Sequence, residues 1–352
     1  MKKLTKIMAL VLTFSFAVMC FAGCGLIKDM DEMKALEDAK KYEEEQKAQM
    51  EATVLKIADD IEVNGAYYGW FFNTAYNAAY SEASQALSAD SSAASDATPN
   101  VDVATIKADV QKQIIDIKMA YKKACDEGIE LTAEDDVAIA ENLNAIKEQI
   151  AQGTAQMGIS YEDYLMLMGT NSETVKQIVK EEYMGNLYLA SLVSDKYVSA
   201  KHILVKFGEE ERTKEEAEKI ANEIKAKLDG GEDFDKLMEE KSEDGRDASG
   251  KLASPNGYTF STGEMVPEFE SKTFAMKDGE ISEPVLVESE GYNGFHIIKK
   301  VPTNLSGVAA ALSSSQNTEV FTKINAEREA LSKDVKVEET DKISFYLESM
   351  NQ

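Results

Sequence analysis

The chain has 352 residues, and its 38 Lys and Arg stand against 64 Asp and Glu, giving a net charge of −26. So acidic a surface repels phosphate backbones, which excludes nucleic acid as a partner. The length, with 43% hydrophobic residues, supports two or three domains with real cores.

At the N-terminus Lys2, Lys3 and Lys6 precede an apolar stretch from Ile7 to Ala22. That stretch is too short for a comfortable membrane span and predicts a secretory signal over 1–23. Phe21-Ala22-Gly23-Cys24 resembles a bacterial lipobox, which implies cleavage before Cys24 and lipid attachment to its thiol. Loss of three lysines with the signal takes the charge to about −29. Cys125 is then the one free cysteine left, so no intramolecular disulfide forms and the domains rely on their cores.

Residues 24–50 read as a charged stalk of helical propensity. Residues 52–58 predict a short strand. Tyr67, Tyr68, Trp70, Phe71, Phe72, Tyr76 and Tyr80 follow at mostly helical spacing and predict the core of a first lobe. Ser81 to Asn100 is rich in Ser, Ala and Asp and predicts a mobile loop or insertion. Ile106, Val110, Ile114, Ile117 and Tyr121 trace a helical stripe that stops at Gly128. Thr132 with Asp135 predicts a capped helix start, and Ser160 another, ended by Gly169. A long helix is predicted from Ser172 to about Tyr197.

Beyond it, His202 to Lys206 alternates as a strand, and Thr213 with Glu216 forms a capping box. Ala217, Ile220, Ala221, Ile224 and Leu228 make one apolar helix face ending at Gly230-Gly231. Phe234, Leu237 and Met238 belong to a second helix. Asp244 to Pro255 reads as a polar loop, Pro267 to Met276 as a helix with Phe269 and Phe274 inward, and 284–287 and 295–301 as the last strands. The tail has helical content at Thr318 to Leu331. The chain's two histidines, His202 and His296, both sit in short β-branched runs, about a hundred residues apart.

That pairing, with Lys241-Ser242-Glu243-Asp244 and the run from Phe260 to Glu270 (FSTGEMVPEFE), resembles the parvulin family of peptidyl-prolyl isomerases over 199–301. The helical order before it, including Gly158 to Tyr183, is similar to the chaperone domain of SurA/PrsA-type foldases. The resemblance implies an α+β protein. A parvulin domain at 199–301, of order βα₃βαβ₂ with an antiparallel sheet covered on one face, would be inserted in a mainly helical lobe made of 51–198 and completed by 302–352.

Carried onto this sequence, the resemblance makes His202, Asp244 and His296 the catalytic residues, and Phe260, Met265 and Phe269 the proline slot. Met265 and Phe269 are expected one helical turn apart on one face. The usual Gly-rich lead-in to the Phe is replaced by Gly250 to Thr259, which leaves Tyr258 as a substitute wall. The two imidazoles are expected to form a hydrogen-bonded pair that orders the sheet beneath the slot. Lys206 lies near where phosphate-directed relatives place a basic residue, but no arginine cluster follows, so phosphoprotein specificity is not supported. No metal or cofactor is expected.

The expected function is an extracytoplasmic isomerase and chaperone, lipid-anchored at the cell membrane. Its partners would be unfolded exported polypeptides with X-Pro bonds, and a homodimer is an allowed assembly. The competing reading is a holdase lipoprotein whose parvulin-like domain is catalytically weak. A solute-binding lipoprotein shares the signal and the acidity but leaves the histidine-bounded motif unexplained.

Overall fold

The computed structural model describes residues 41, 43–89, 98–155, 158–208, 212–289, 293–313, 315 and 317–348. The signal, Cys24 and most of the stalk lie outside the described residues. The chain divides into two compact units. One holds the described residues up to Gly185 together with those from Leu331, and the other is Asn186–Ala330.

In the first unit β1 (Thr53–Ile57) pairs antiparallel with β2 (Ile61–Asn64). Helix α1 (Gly65–Ala89) begins directly after β2. Its first two turns bury Tyr67, Tyr68, Phe71 and Phe72, so the aromatic run is core. Residues 81–89, expected as loop, continue this helix. Their Ala and Ser content is compatible with helix once the aromatic turns have nucleated it. Residues 90–97 of the same stretch lie outside the described residues.

Helices α2 (Val103–Asp126), α3 (Ala133–Thr154), α4 (Tyr161–Leu167) and α5 (Ser172–Ser191) follow. The Thr132–Asp135 capping box and the Ser160 cap form as the sequence predicts. Helix α5 stops at Ser191 rather than near Tyr197, because Tyr197 is taken by a strand. The chain end returns as β7 (Val337–Glu339), which pairs with β1, and α11 (Ser344–Glu348). Tyr346 of α11 meets the Tyr68 ring edge-on at 5.3 Å and donates to the Gly65 carbonyl at 2.7 Å. A Cβ on Gly65 would lie 2.0 Å from the Gln49 carbonyl oxygen, so only glycine fits there.

A buried ion pair stands in the same unit. Lys118 Nζ lies 2.8 Å from Glu181 Oε2, and Tyr67 donates to that oxygen at 2.9 Å. Gln177 donates to the second carboxylate oxygen at 2.8 Å. Full hydrogen bonding is what makes two buried charges tolerable.

The second unit is built on an antiparallel sheet of order β4-β3-β6-β5, formed by β3 (Tyr197–Lys206), β4 (Tyr258–Ser261), β5 (Val285–Val287) and β6 (Gly294–Val301). Strand alternation sorts two cores. Ile203, Val205, Phe295 and Ile297 point to one face, under α6 (Lys214–Asp229) and α7 (Phe234–Lys241). Val198, Ala200 and Ile298 point to the other, where Phe269 of α8 (Pro267–Ala275) packs with Phe260. Both faces are therefore covered, not one, which is why β3 is almost continuously buried.

Among the described residues two helices, not three, separate β3 from β4, with a polar loop in place of the third. The Thr213–Glu216 capping box is present. Ile220 and Phe274, expected inward, are 37% and 38% exposed.

The tail divides. Helix α9 (Leu305–Leu312) and most of α10 (Thr318–Ser332) belong to the second unit, and only residues from Leu331 return to the first. Lys323 of α10 donates to the Leu192 carbonyl and Tyr188 donates to Glu327 at 2.6 Å, which ties α10 to the segment before β3. The compact unit is therefore 186–330 and contains the whole of 199–301.

Candidate active site

Strands β3 and β6 run antiparallel with Leu204 opposite His296 and His202 opposite Ile298. His202 and His296 thus sit on one face, diagonal to each other, and their rings lie 5.1 Å apart with a 43° tilt. Both are buried. The two ring nitrogens of His202 have no hydrogen-bond partner among the described residues. The expected hydrogen bond between the imidazoles is therefore not formed, and they meet through ring faces and edges.

Phe269 stands across both histidines. Its ring is edge-on to His202 at 5.3 Å and to His296 at 5.8 Å, and tilted against Phe260 at 5.7 Å. Pro267 at the first position of α8 suits a helix start, since its missing N–H would be unpaired there anyway. Met265 precedes the cap residue Val266, so the helical i,i+4 relation does not hold. Met265 nevertheless packs, half-buried, against the Phe260–Phe269 cluster. Its position is set by Glu270, whose Oε2 accepts from the backbone N–H groups of Gly263 at 2.8 Å and Met265 at 3.3 Å.

Tyr258 stacks on His202 at 5.7 Å and donates to Asp244 Oδ2 at 2.7 Å. That carboxylate oxygen also lies 3.6 Å from His202 Nε2. Gly257 makes this approach feasible. It has φ +83°, and a Cβ there would fall 2.3 Å from the Ala200 carbonyl oxygen. Tyr258 is therefore fixed beside the two imidazoles by His202 and Asp244.

Burial lowers the His202 pKa from its ordinary 6.5, and the negative charge of Asp244 opposes this without overcoming it. His202 is thus a neutral imidazole at pH 7, part of a bed of low polarity. His202, Asp244, His296, Tyr258, Phe260, Met265 and Phe269 all come together, whereas Cys24 lies outside the described residues.

Several supporting residues were given no role by the sequence. Ser242 is buried, and its hydroxyl accepts from the Leu204 N–H at 3.1 Å and the Asp244 N–H at 3.4 Å, fixing the Asp244 loop to β3. Arg246 donates to the carbonyls of Glu239, Ser242 and Gly250 and braces the same loop. Arg212 grips Glu243 with two bonds of 2.7 Å, across 31 positions of sequence. The Glu243 carboxyl is held below its usual pKa by Arg212, despite an opposing effect of burial that is the largest single influence. Arg212 is thus committed to a carboxylate.

Taken together, the site offers a buried aromatic and thioether face over two close imidazoles, with one fixed carboxylate at its side.

Residues 202–301 match the family model for the rotamase, or PPIC-type PPIase, domain. The foldase protein PrsA of a Geobacillus species is 38% identical over 154 residues, 41% of this chain and 49% of that one. A parvulin-like PPIase of Rickettsia bellii is 36% identical over 161 residues, 45% of this chain and 47% of that one. The chain spans about half the length of these curated relatives. The crystal structure of PrsA from Bacillus subtilis overlaps 68% of this chain and 89% of its own at 21% identity, with a TM-score of 0.29, too low to argue from.

Proposed function

We propose that the chain accelerates cis–trans isomerisation of X-Pro bonds in unfolded polypeptides and so assists their folding, a reading supported by the match of residues 202–301 to the PPIC-type peptidyl-prolyl isomerase domain. The observation that carries this reading is the closure of Phe260, Phe269 and Met265 over the His202–His296 pair.

The uncatalysed rotation crosses roughly 20 kcal/mol because twisting the bond destroys amide resonance. A ~10⁴-fold acceleration needs only about 5.5 kcal/mol of preferential stabilisation of the twisted state. The slot would grip the pyrrolidine ring while the preceding carbonyl turns. A twisted amide has lost its charge separation, so a poorly hydrated site with a neutral His202 imidazole favours it over the planar forms. No proton need move and no bond need break. Asp244 acts by holding Tyr258 as the wall, and His202 and His296 by forming the bed.

We further propose that the chain works outside the cytoplasm, lipid-anchored to the cell membrane through Cys24 of Phe21-Ala22-Gly23-Cys24. Its clients would be exported polypeptides emerging unfolded, and chaperoning would draw on both units. Relatives of this chain are named foldases, which supports the wider role.

The test is refolding of a denatured protein whose slow phase is prolyl isomerisation, with the full chain added in catalytic amount. A shortened slow phase is expected. An unchanged slow phase with suppressed aggregation would favour the holdase reading instead. Membrane fractionation of the chain and its Cys24→Ser variant tests the anchor, and a variant still in the membrane pellet would contradict it.

A further inference from the structure

A second concavity of about 520 Å³ lies in the unit that carries the slot, at the ends of β4 and α8 and the start of α10. That volume falls within the range of small binding sites. Its aromatic lining residue is Phe274, 38% exposed although the sequence pattern had placed it inward. Around Phe274 stand Thr262, Thr318, Asp195 and an ion pair, Lys196 to Glu319 at 2.9 Å.

This cavity lies one ring beyond the aromatic cluster of the proposed slot. The Phe274 ring meets Phe260 edge-on at 6.2 Å, and Phe260 meets Phe269 of the slot at 5.7 Å. Thr262 follows β4, the strand that carries Tyr258 and Phe260. A chain gripped at the slot and running extended past Phe260 covers that path in about three to four residues at ~3.3 Å each.

We propose that the cavity is a second subsite for the same polypeptide, taking an apolar ring three or four residues from the proline. This deepens the isomerase reading and rests on it. The partner chemistry is an extended, uncharged or basic segment. Its ring packs on Phe274, and its flanks meet a rim where Asp195 and Glu319 outnumber Lys196. Contacts remote from the reacting bond raise the residence of unfolded chain at the slot without changing the rotation itself.

The test uses the full chain and labelled decapeptides with one central Ala-Pro. Phe or Ala is placed four residues before the proline in one pair of peptides and four residues after it in another. Fluorescence anisotropy gives affinity, and isomerisation is followed on these peptides and on a short tetrapeptide that reaches only the slot. The wild type is expected to bind one Phe peptide roughly three- to tenfold more tightly than its Ala counterpart. Thr318→Trp, which fills the cavity from the exposed start of α10, should erase that preference and leave tetrapeptide isomerisation within about twofold. A folded Thr318→Trp protein that keeps the preference overturns the proposal, as does a wild type with no preference on either side. Should Thr318→Trp not fold, Phe274→Ala is read for the same preference, and its retention is equally fatal. A wild type that isomerises neither peptide nor tetrapeptide would instead sink the isomerase reading, with the cavity still decided by the anisotropy comparison.

Discussion

Burial holds the His202 imidazole below its ordinary pKa of 6.5, with the Asp244 carboxylate pulling the other way. The consequence for stability has a definite sign. Above pH 6.5 both folded and unfolded chains carry a neutral His202, and the native state keeps its full advantage. As pH falls through 6.5 the unfolded chain takes a proton that the folded site refuses, so stability declines until the lowered native pKa is reached. Other groups titrate in the same range, and the comparison that isolates His202 is with His202→Phe. The melting temperature of the wild type should fall relative to that variant between pH 7 and pH 5, and parallel curves would contradict a buried neutral imidazole. A general acid-base role would instead require a steep rate profile near the imidazole pKa. The rotation requires no proton, and the isomerisation rate should be flat from pH 7 to 9.

At the scale of elements, Phe269 and Met265 do different work although the sequence set them side by side. Phe269 is 3% exposed in the core between sheet and α8, and Phe269→Ala should cost about 3–5 kcal/mol along with activity. Met265 is half-buried ahead of the helix. Met265→Ala should cost less than the ~2–5 kcal/mol of a fully buried methionine while still depressing isomerisation. Urea denaturation alongside a peptide assay separates the two, and a folded Met265→Ala protein with full activity would place the slot elsewhere.

What could be read from the chain at this scale followed the reach of the rules used. The capping boxes at Thr132 and Thr213 are three-residue signals and appear where the pattern puts them. The strand runs holding the two histidines are similarly local. The start of β3 was missed because Tyr197 and Val198 become strand through pairing with Ser261 and Phe260, some sixty residues on. The outward Phe274 and the Tyr258–Asp244 bond depend on tertiary packing that periodicity does not carry.

For the whole molecule, the more consequential difference is where the second unit ends. Cutting at 199 removes Tyr197 and Val198, which pair with β4, and cutting at 301 removes α9 and α10. Helix α9 packs on β4: a Cβ on its Gly307 would lie 2.6 Å from the Thr259 hydroxyl. Residues 186–330 expressed alone should therefore fold and melt cooperatively, and residues 199–301 should melt at a markedly lower temperature. Equal melting temperatures for the two segments would show that the tail helices contribute nothing to the fold. The returning strand β7 and Tyr346 complete the core of the other unit.

The central claim is that the aromatic slot over the histidine pair turns prolyl bonds, and two-dimensional NMR exchange on a short Ala-Pro peptide measures that rotation without a coupling protease or a folding client. With the full chain at substoichiometric concentration, cis–trans exchange cross-peaks should appear on the sub-second scale, against tens of seconds for the free peptide. They should weaken strongly with Met265→Ala in a protein whose circular dichroism is unchanged. Exchange that stays at the uncatalysed rate with the wild type, or that keeps the wild-type rate in the folded Met265→Ala variant, would contradict the account.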